Sequence, residues 1–95
     1  MEDQKVIRLA EMFDVLSDPN RLAIVLFLKQ DKKSVSEITK HLEMSQSAVS
    51  HQLKIMRDTK VLKSKKEGKT VYYMISDEHV ATIVETGLVH MGHEV

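Results

Sequence analysis

The chain contains no cysteine, and that absence removes disulfides, thiolate metal sites and thiol redox sensing together. Any metal must be held through nitrogen and oxygen. Proline occurs once and glycine three times in 95 residues, too few for a disordered or turn-dominated chain. No apolar run approaches the roughly 20 residues that span a bilayer. The acidic start at Glu2 and Asp3 has no signal-peptide pattern, so a cytoplasmic location is expected. A nucleophile with its base, a Gly-rich phosphate loop and an open catalytic metal position are all missing, so no enzyme is expected. With 42% hydrophobic and 29% charged residues, the composition fits one mainly helical domain over 1–95. At this size dimerisation often supplies part of the buried surface.

The formal net charge is zero, but the charges are segregated along the chain. Residues 1–31 carry four basic and six acidic side chains, 32–73 carry ten basic and four acidic, and 74–95 carry four acidic and none basic. A net +6 centre between ends of −2 and −4 suits a protein whose middle meets phosphates, and equally a mixed solvated surface.

Apolar residues Val6, Leu9, Ala10, Phe13 and Leu16 recur at helical spacing, which predicts a first helix over 4–16. Asp18 before Pro19 marks the start of a second, ending near 29–31. Ser34 and Glu37 have capping-box spacing ahead of a short third helix over 35–42, and Ser45 caps a fourth that runs to about Thr59. Two short helices joined by a tight turn make a helix-turn-helix candidate. The β-prone runs 61–66 and 69–75, separated by Glu67 and Gly68, predict a hairpin. Asp77 then opens a final helix with an apolar stripe at Val80, Ile83, Val84, Leu88 and Met91. Gly87 inside it costs about 1 kcal/mol relative to alanine, which suggests close approach of another backbone. The fold class is therefore mainly α with a small β-hairpin.

On the fourth helix Gln46, Ser47, Ser50 and His51 fall on one side and Val49, Leu53 and Met56 on the other, as a helix anchored in a core and facing a major groove requires. Gln can pair with adenine, Ser with bases or phosphates, and Ser45 stands where the helix N-terminus favours a phosphate. Lys54 and Arg57 are placed for the DNA backbone. Lys63, Lys65, Lys66 and Lys69 give the hairpin the densest positive charge in the chain. That charge fits flanking phosphates and also a solvated lysine-rich hairpin. His41 reads as a surface or helix-end residue.

Asp77, His79, His90 and His93 are nitrogen and oxygen donors on the predicted last helix. His90 and His93 are i and i+3, whereas His79 and His90 stand eleven residues, roughly 16 Å, apart along a helix axis. One ion cannot bridge that gap within one helix. If the same helix of a second chain packs antiparallel, Asp77 and His79 of one chain meet His90 and His93 of the other in two equivalent sites. The competing reading is local: Asp77 as N-cap, and histidines favoured by the dipole at the helix C-terminus.

Three strings, LSDPNRL at 16–22, VSEITKHLEMSQSAVSHQLKIM at 35–56 and KKEGKTVYYMI at 65–75, resemble the winged helix-turn-helix repressors of the ArsR/SmtB family. The resemblance implies a homodimer through the first and last helices, with operator DNA contacted by the helix at 45–58 and the wing at 61–75. Thiolate sensors of that family carry a Cys-x-Cys motif where this chain has Ser34 and Ser36, so that site is absent. The Asp77, His79, His90, His93 spacing is similar to the last-helix site of the zinc-responsive, CzrA/SmtB-like branch. Three imidazoles and one carboxylate suit four-coordinate Zn(II), and Co(II) fits too. The resemblance implies that a metal-free dimer binds operator and that the metal lowers its DNA affinity, releasing metal efflux or homeostasis genes. Two other readings stay open: a family member that answers a non-metal signal, and a helical interaction or metal-storage module without a DNA role.

Overall fold

Each helix after the first begins at the residue the sequence marks for it. Asp18 Oδ2 accepts the Arg21 N–H at 3.0 Å ahead of Pro19, and Ser45 Oγ accepts the Ala48 N–H at 3.1 Å. Ser34 and Glu37 form a reciprocal box, in which Ser34 Oγ accepts the Glu37 N–H at 3.2 Å and the Ser34 N–H donates to Glu37 Oε1 at 2.9 Å. Asp77 Oδ1 accepts the His79 N–H at 2.9 Å. Each bond satisfies an amide that a helix start leaves without a partner. The Ser34 amide also holds the Glu37 carboxyl below its ordinary 4.5.

The computed structural model describes residues 3–93; Met1, Glu2, Glu94 and Val95 lie outside the described residues. In chain order the elements are α1 (Asp3–Val15), α2 (Pro19–Leu28), β1 (Lys33–Ser34), α3 (Val35–Leu42), α4 (Gln46–Asp58), β2 (Leu62–Glu67), β3 (Thr70–Ile75) and α5 (Glu78–His90). The sheet has three antiparallel strands in the order β1-β3-β2, with Lys33 opposite Tyr73 and Ser34 opposite Tyr72. The expected hairpin is thus joined by a third, two-residue strand. So short a strand has no alternation to read, and its pairing follows from where α2 delivers the chain.

The hairpin turn lies one residue later than expected. Glu67 pairs with Thr70, so the loop is Gly68–Lys69, and Glu67 belongs to β2. Gly68 has φ +64° and Lys69 has no positive φ, the pattern of a two-residue turn that needs glycine first. Val61 is not in the strand. Its N–H donates to Met56 O at 2.9 Å and the Lys60 N–H to Arg57 O at 3.0 Å, the paired bonds that close α4 with a left-handed residue, here Lys60 at φ +66°.

The core gathers Ile24, Val25 and Leu28 of α2, Ile38 of α3, Val49, Leu53 and Met56 of α4, with Leu62 and Tyr73 of the sheet and Val80 and Val84 of α5. No polar or charged residue is buried among the described residues. The predicted α1 stripe behaves differently. Leu16, just past the helix, is buried, whereas Val6, Leu9 and Phe13 are each half exposed or more. Together with Val89 of α5 at 59% exposure and Met91, which follows that helix, at 74%, they leave an apolar surface that this chain does not cover itself.

Lys60 sits in a backbone region that a β-carbon disfavours by about 1–2 kcal/mol. Lys60→Gly is therefore expected to raise unfolding stability by about 1 kcal/mol, read from urea midpoints at fixed protein concentration. A fall in the midpoint would show that the lysine side chain contributes more than its backbone costs.

Candidate nucleic-acid interface and metal centre

The turn between α3 and α4 is tight because Glu43 takes a left-handed conformation, φ 54° and ψ 41°, and Ser45 caps the next helix two residues later. Val49, Leu53 and Met56 then lie in the core, fully enclosed, which fixes the rotation of α4. Gln46, Ser47, Ser50, His51, Lys54 and Arg57 are all exposed, so the side assigned to DNA from the sequence is the solvent side. Ser45 Oγ is engaged locally, accepting from Ala48 and lying 3.3 Å from Ser47 Oγ. The Arg57 guanidinium lies 3.7 Å from the Asp58 carboxylate. His41, in the last turn of α3, stacks its ring on Phe27 at 3.8 Å between centroids.

Lys63, Lys65, Lys66 and Lys69 are exposed, but they do not form one face. Strand alternation and register put Lys63 and Lys65 with Tyr72 and Met74 on one side, Lys66 with the core-facing Tyr73 side, and Lys69 in the loop. The wing is therefore basic all round. Its one acid, Glu67, accepts a hydrogen bond from Lys32 Nζ, which also lies 5.1 Å from the Tyr72 ring centroid. This bond holds the Glu67 carboxyl below 4.5 and lifts the Lys32 ammonium above 10.5. The Glu67 contribution is lost only as pH falls below 4.5, and that of Lys32 only as pH rises above 10.5, so both stay ionised between. Nothing in the sequence signalled this pair, whose members are 35 residues apart.

The four metal-ligand candidates divide into two groups. Asp77 Oδ1 lies 3.2 Å from His79 Nδ1, with both side chains exposed. Two donors held at about 2.0–2.2 Å in a tetrahedral shell stand roughly 3.3–3.6 Å apart, so this pair already has close to a chelating separation. His90 is the last residue of α5. His93 is not on that helix, contrary to the i, i+3 placement read from the sequence. Gly92 at φ +86° ends α5, with its N–H donating to Val89 O at 3.0 Å and the His93 N–H donating to Leu88 O at 2.9 Å. His93 thus lies just beyond the cap, near His90 in sequence but released from the helical face.

Eleven residues amount to three helical turns and about 20°, so His79 and His90 project from the same side of α5, turned away from the buried Val80 and Val84. Exposed Thr82, Thr86 and Val89 lie between them. Among the described residues no three His, Cys, Asp or Glu side chains converge within the chain. Gly87 meets nothing within 4 Å of where a β-carbon would stand, so its expected close backbone approach is not made within this chain. It borders an apolar groove of about 280 Å³ between α1, α2 and α5, lined by Phe13, Leu16, Leu26 and Leu88. The donor set, three imidazoles and a carboxylate with no thiolate, fits a borderline divalent cation. No helix of the described residues is long and apolar enough to cross a membrane.

The family model described as "Bacterial regulatory protein, arsR family" matches residues 18–64. The cadmium resistance transcriptional regulatory protein CadC homolog of Staphylococcus aureus is 34% identical over 92% of this chain and 73% of its own length. The chain belongs to the arsR family. A second relative, the transcriptional repressor SmtB homolog of Synechocystis sp., is 37% identical over 80% of this chain, which spans 58% of that relative's length. The solution structure of the homodimeric winged helix-turn-helix DNA-binding domain of Mb0332 from Mycobacterium bovis superposes with a TM-score of 0.90 at 23% identity, covering 96% of this chain and 84% of that one. The fold is the winged helix-turn-helix, with α3 and α4 as its two helices and β2–β3 as the wing. ArsR-family proteins are regulators rather than enzymes.

A wing that is basic on both sides predicts salt-sensitive binding to mixed-sequence duplex DNA. Lys65→Gln and Lys66→Gln are each expected to weaken it and to reduce the log–log salt slope by about 0.9 for every phosphate the variant no longer neutralises. An unchanged slope in a fluorescence-anisotropy titration would take those lysines off the DNA.

Proposed function

We propose that this chain is a metal-responsive transcriptional repressor of the cytoplasm. It works as a homodimer whose metal-free form binds operator DNA and whose metal-bound form releases it. The observation that carries this reading is the placement of His79 and His90 at opposite ends of one outward side of α5, each with a second donor beside it in the chain, too far apart for one ion. The uncovered apolar residues of α1 and α5 give a second copy a surface to bury. An antiparallel pairing of two α5 helices brings Asp77 and His79 against His90 and His93 of the partner subunit, and by symmetry does so twice. Thr82 and Thr86 at the centre allow the close approach such a pairing needs. Names of relatives as a transcriptional repressor and as a cadmium resistance regulator support a metal-linked role. Without thiolates, the donor set favours Zn(II), or Co(II), over a soft ion such as cadmium.

Two recognition helices related by a two-fold axis read two half-sites, so the operator is partly palindromic. On each, Gln46, Ser47, Ser50 and His51 face base edges, while Ser45, Lys54 and the wing residues Lys63, Lys65, Lys66 and Lys69 meet phosphates. Asp77 and His79 of one chain with His90 and His93 of the partner subunit would hold Zn(II), which would supply a crosslink between the two chains. The α5 pair then fixes the relative orientation of the two reading heads. Binding is reciprocal, so zinc is held less tightly on DNA by the factor by which it loosens DNA.

The test uses an operator selected from a random duplex library by the metal-free protein. Zinc, titrated to one per protomer, is expected to lower operator affinity about 5- to 150-fold. Full zinc occupancy with unchanged DNA affinity would sink the repressor reading. His90→Ala is expected to abolish the zinc response and leave metal-free operator affinity nearly unaltered.

A further inference from the structure

The α2–β1 connector, residues 29–32, touches both of the parts that the proposed switch must join. Lys29 caps α2, and its Nζ lies 2.9 Å from Glu85 Oε2 on α5, with both side chains partly exposed. Three residues on, Lys32 bonds Glu67 at the wing tip and lies over Tyr72. The connector between them is stiffened by Asp31, whose Oδ1 accepts the Lys32 N–H at 2.8 Å. It continues directly into β1, which holds the wing through two residue pairs on β3.

Glu85 stands midway along α5 between the two donor pairs, so a movement of α5 displaces it. A cleft of about 400 Å³ separates the connector from the end of β3 and the start of α5, bordered by Lys29, Lys32, Lys63, Met74, Asp77 and Ala81. Tight packing therefore does not lock the N-terminal end of α5 to the connector. Beyond the core packing of α2 on α5, what ties the connector to α5 is the Lys29–Glu85 ion pair midway along that helix. On the other side, Glu67 is the single acid on a wing of four exposed lysines. While Lys32 holds it, its carboxylate is neutralised and the wing is braced. When Lys32 is drawn away, a free negative charge appears beside the lysines that face phosphate, and the wing loses its brace.

We infer that the 29–32 connector transmits the state of α5 to the wing, with Lys29 and Lys32 as positioning residues paired to Glu85 and Glu67. This rests on the metal-responsive reading above and names the path by which that response reaches the DNA. A displacement of α5 pulls Lys29 through Glu85, shifts the connector, and loosens Lys32 from Glu67. DNA affinity falls through both wing geometry and charge.

The first test needs neither metal nor DNA. Lys29→Met breaks the tie to α5 and touches no wing residue, yet amide hydrogen exchange over 62–75 in the metal-free protein is expected to quicken several-fold. The charge-swapped pair Lys29→Glu with Glu85→Lys is expected to restore it, which a general loss of folding would not allow. Unchanged wing exchange in Lys29→Met would overturn the inference. The second test repeats the zinc titration on selected operator DNA with Lys29→Met. The zinc-dependent loss of affinity is expected to shrink at least five-fold while zinc stoichiometry is kept. If wild type responds to zinc and Lys29→Met responds equally, the connector is not the path, and the repressor reading stands without it. If wild type itself does not respond, the repressor reading fails, and the exchange result alone decides whether α5 and the wing are linked.

Discussion

A helix of thirteen residues keeps its two ends apart, and α5 has candidate metal-donor side chains at or beside both. Asp77 and His79 gather at the N-terminus because Asp77 is the cap and His79 the second residue of the helix. His90 ends the helix, and Gly92 turns the chain so that the His93 N–H bonds back to Leu88 O over the last turn. Hydrogen bonds of the helix itself enforce the separation, so neither pair can complete its coordination within the chain. On the proposed reading that constraint makes metal sensing a property of the dimer. It also makes α5 the seam between subunits, and that assignment accounts for apolar residues on α1 and α5 that the chain leaves uncovered.

The reading head is built on the opposite principle. Val49, Leu53 and Met56 are enclosed without residual exposure, so α4 is locked in rotation by its packed side and everything on its other side is offered to solvent. The wing has less hold on the body: its buried residues are Leu62 and Tyr73, and its outer half projects with a lysine-rich surface. An element anchored so lightly is the natural place for a small displacement to be felt. The Lys32–Glu67 bond is well placed to set it, because it joins the wing tip to the same connector that Lys29 ties to α5.

Much of this was legible in the sequence, and for a definite reason. Caps and periodicity are local: Asp18, Ser34, Ser45 and Asp77 act within three residues, and an amphipathic stripe needs one helix to define it. The four helix starts and the polar side of α4 follow from those signals. Two local details set by a glycine were misplaced, and where the outcome depended on distant partners the sequence was silent. The turn read at Glu67–Gly68 moved to Gly68–Lys69 because glycine must take the first loop position. His93 fell off the helix because Gly92 ended it. β1 exists because tertiary placement brings two residues beside β3, and Lys32 finds Glu67 across 35 positions with no pattern to announce it. The apolar stripe of α1 is only partly used within this chain: Leu16 joins the core, whereas Val6, Leu9 and Phe13 stay half exposed.

The central claim, that each metal site takes Asp77 and His79 from one chain and His90 and His93 from another, is open to a direct test by mixing. One chain carries Asp77→Ala with His79→Ala, and the other carries His90→Ala with His93→Ala. Neither homodimer then holds a complete site, whereas each mixed dimer regains one of its two. After subunit exchange, tight zinc binding should return to about a quarter of wild-type capacity if pairing is random. If subunit exchange is complete and no tight site returns, the four residues do not act across the dimer, and the account given for α5 is wrong.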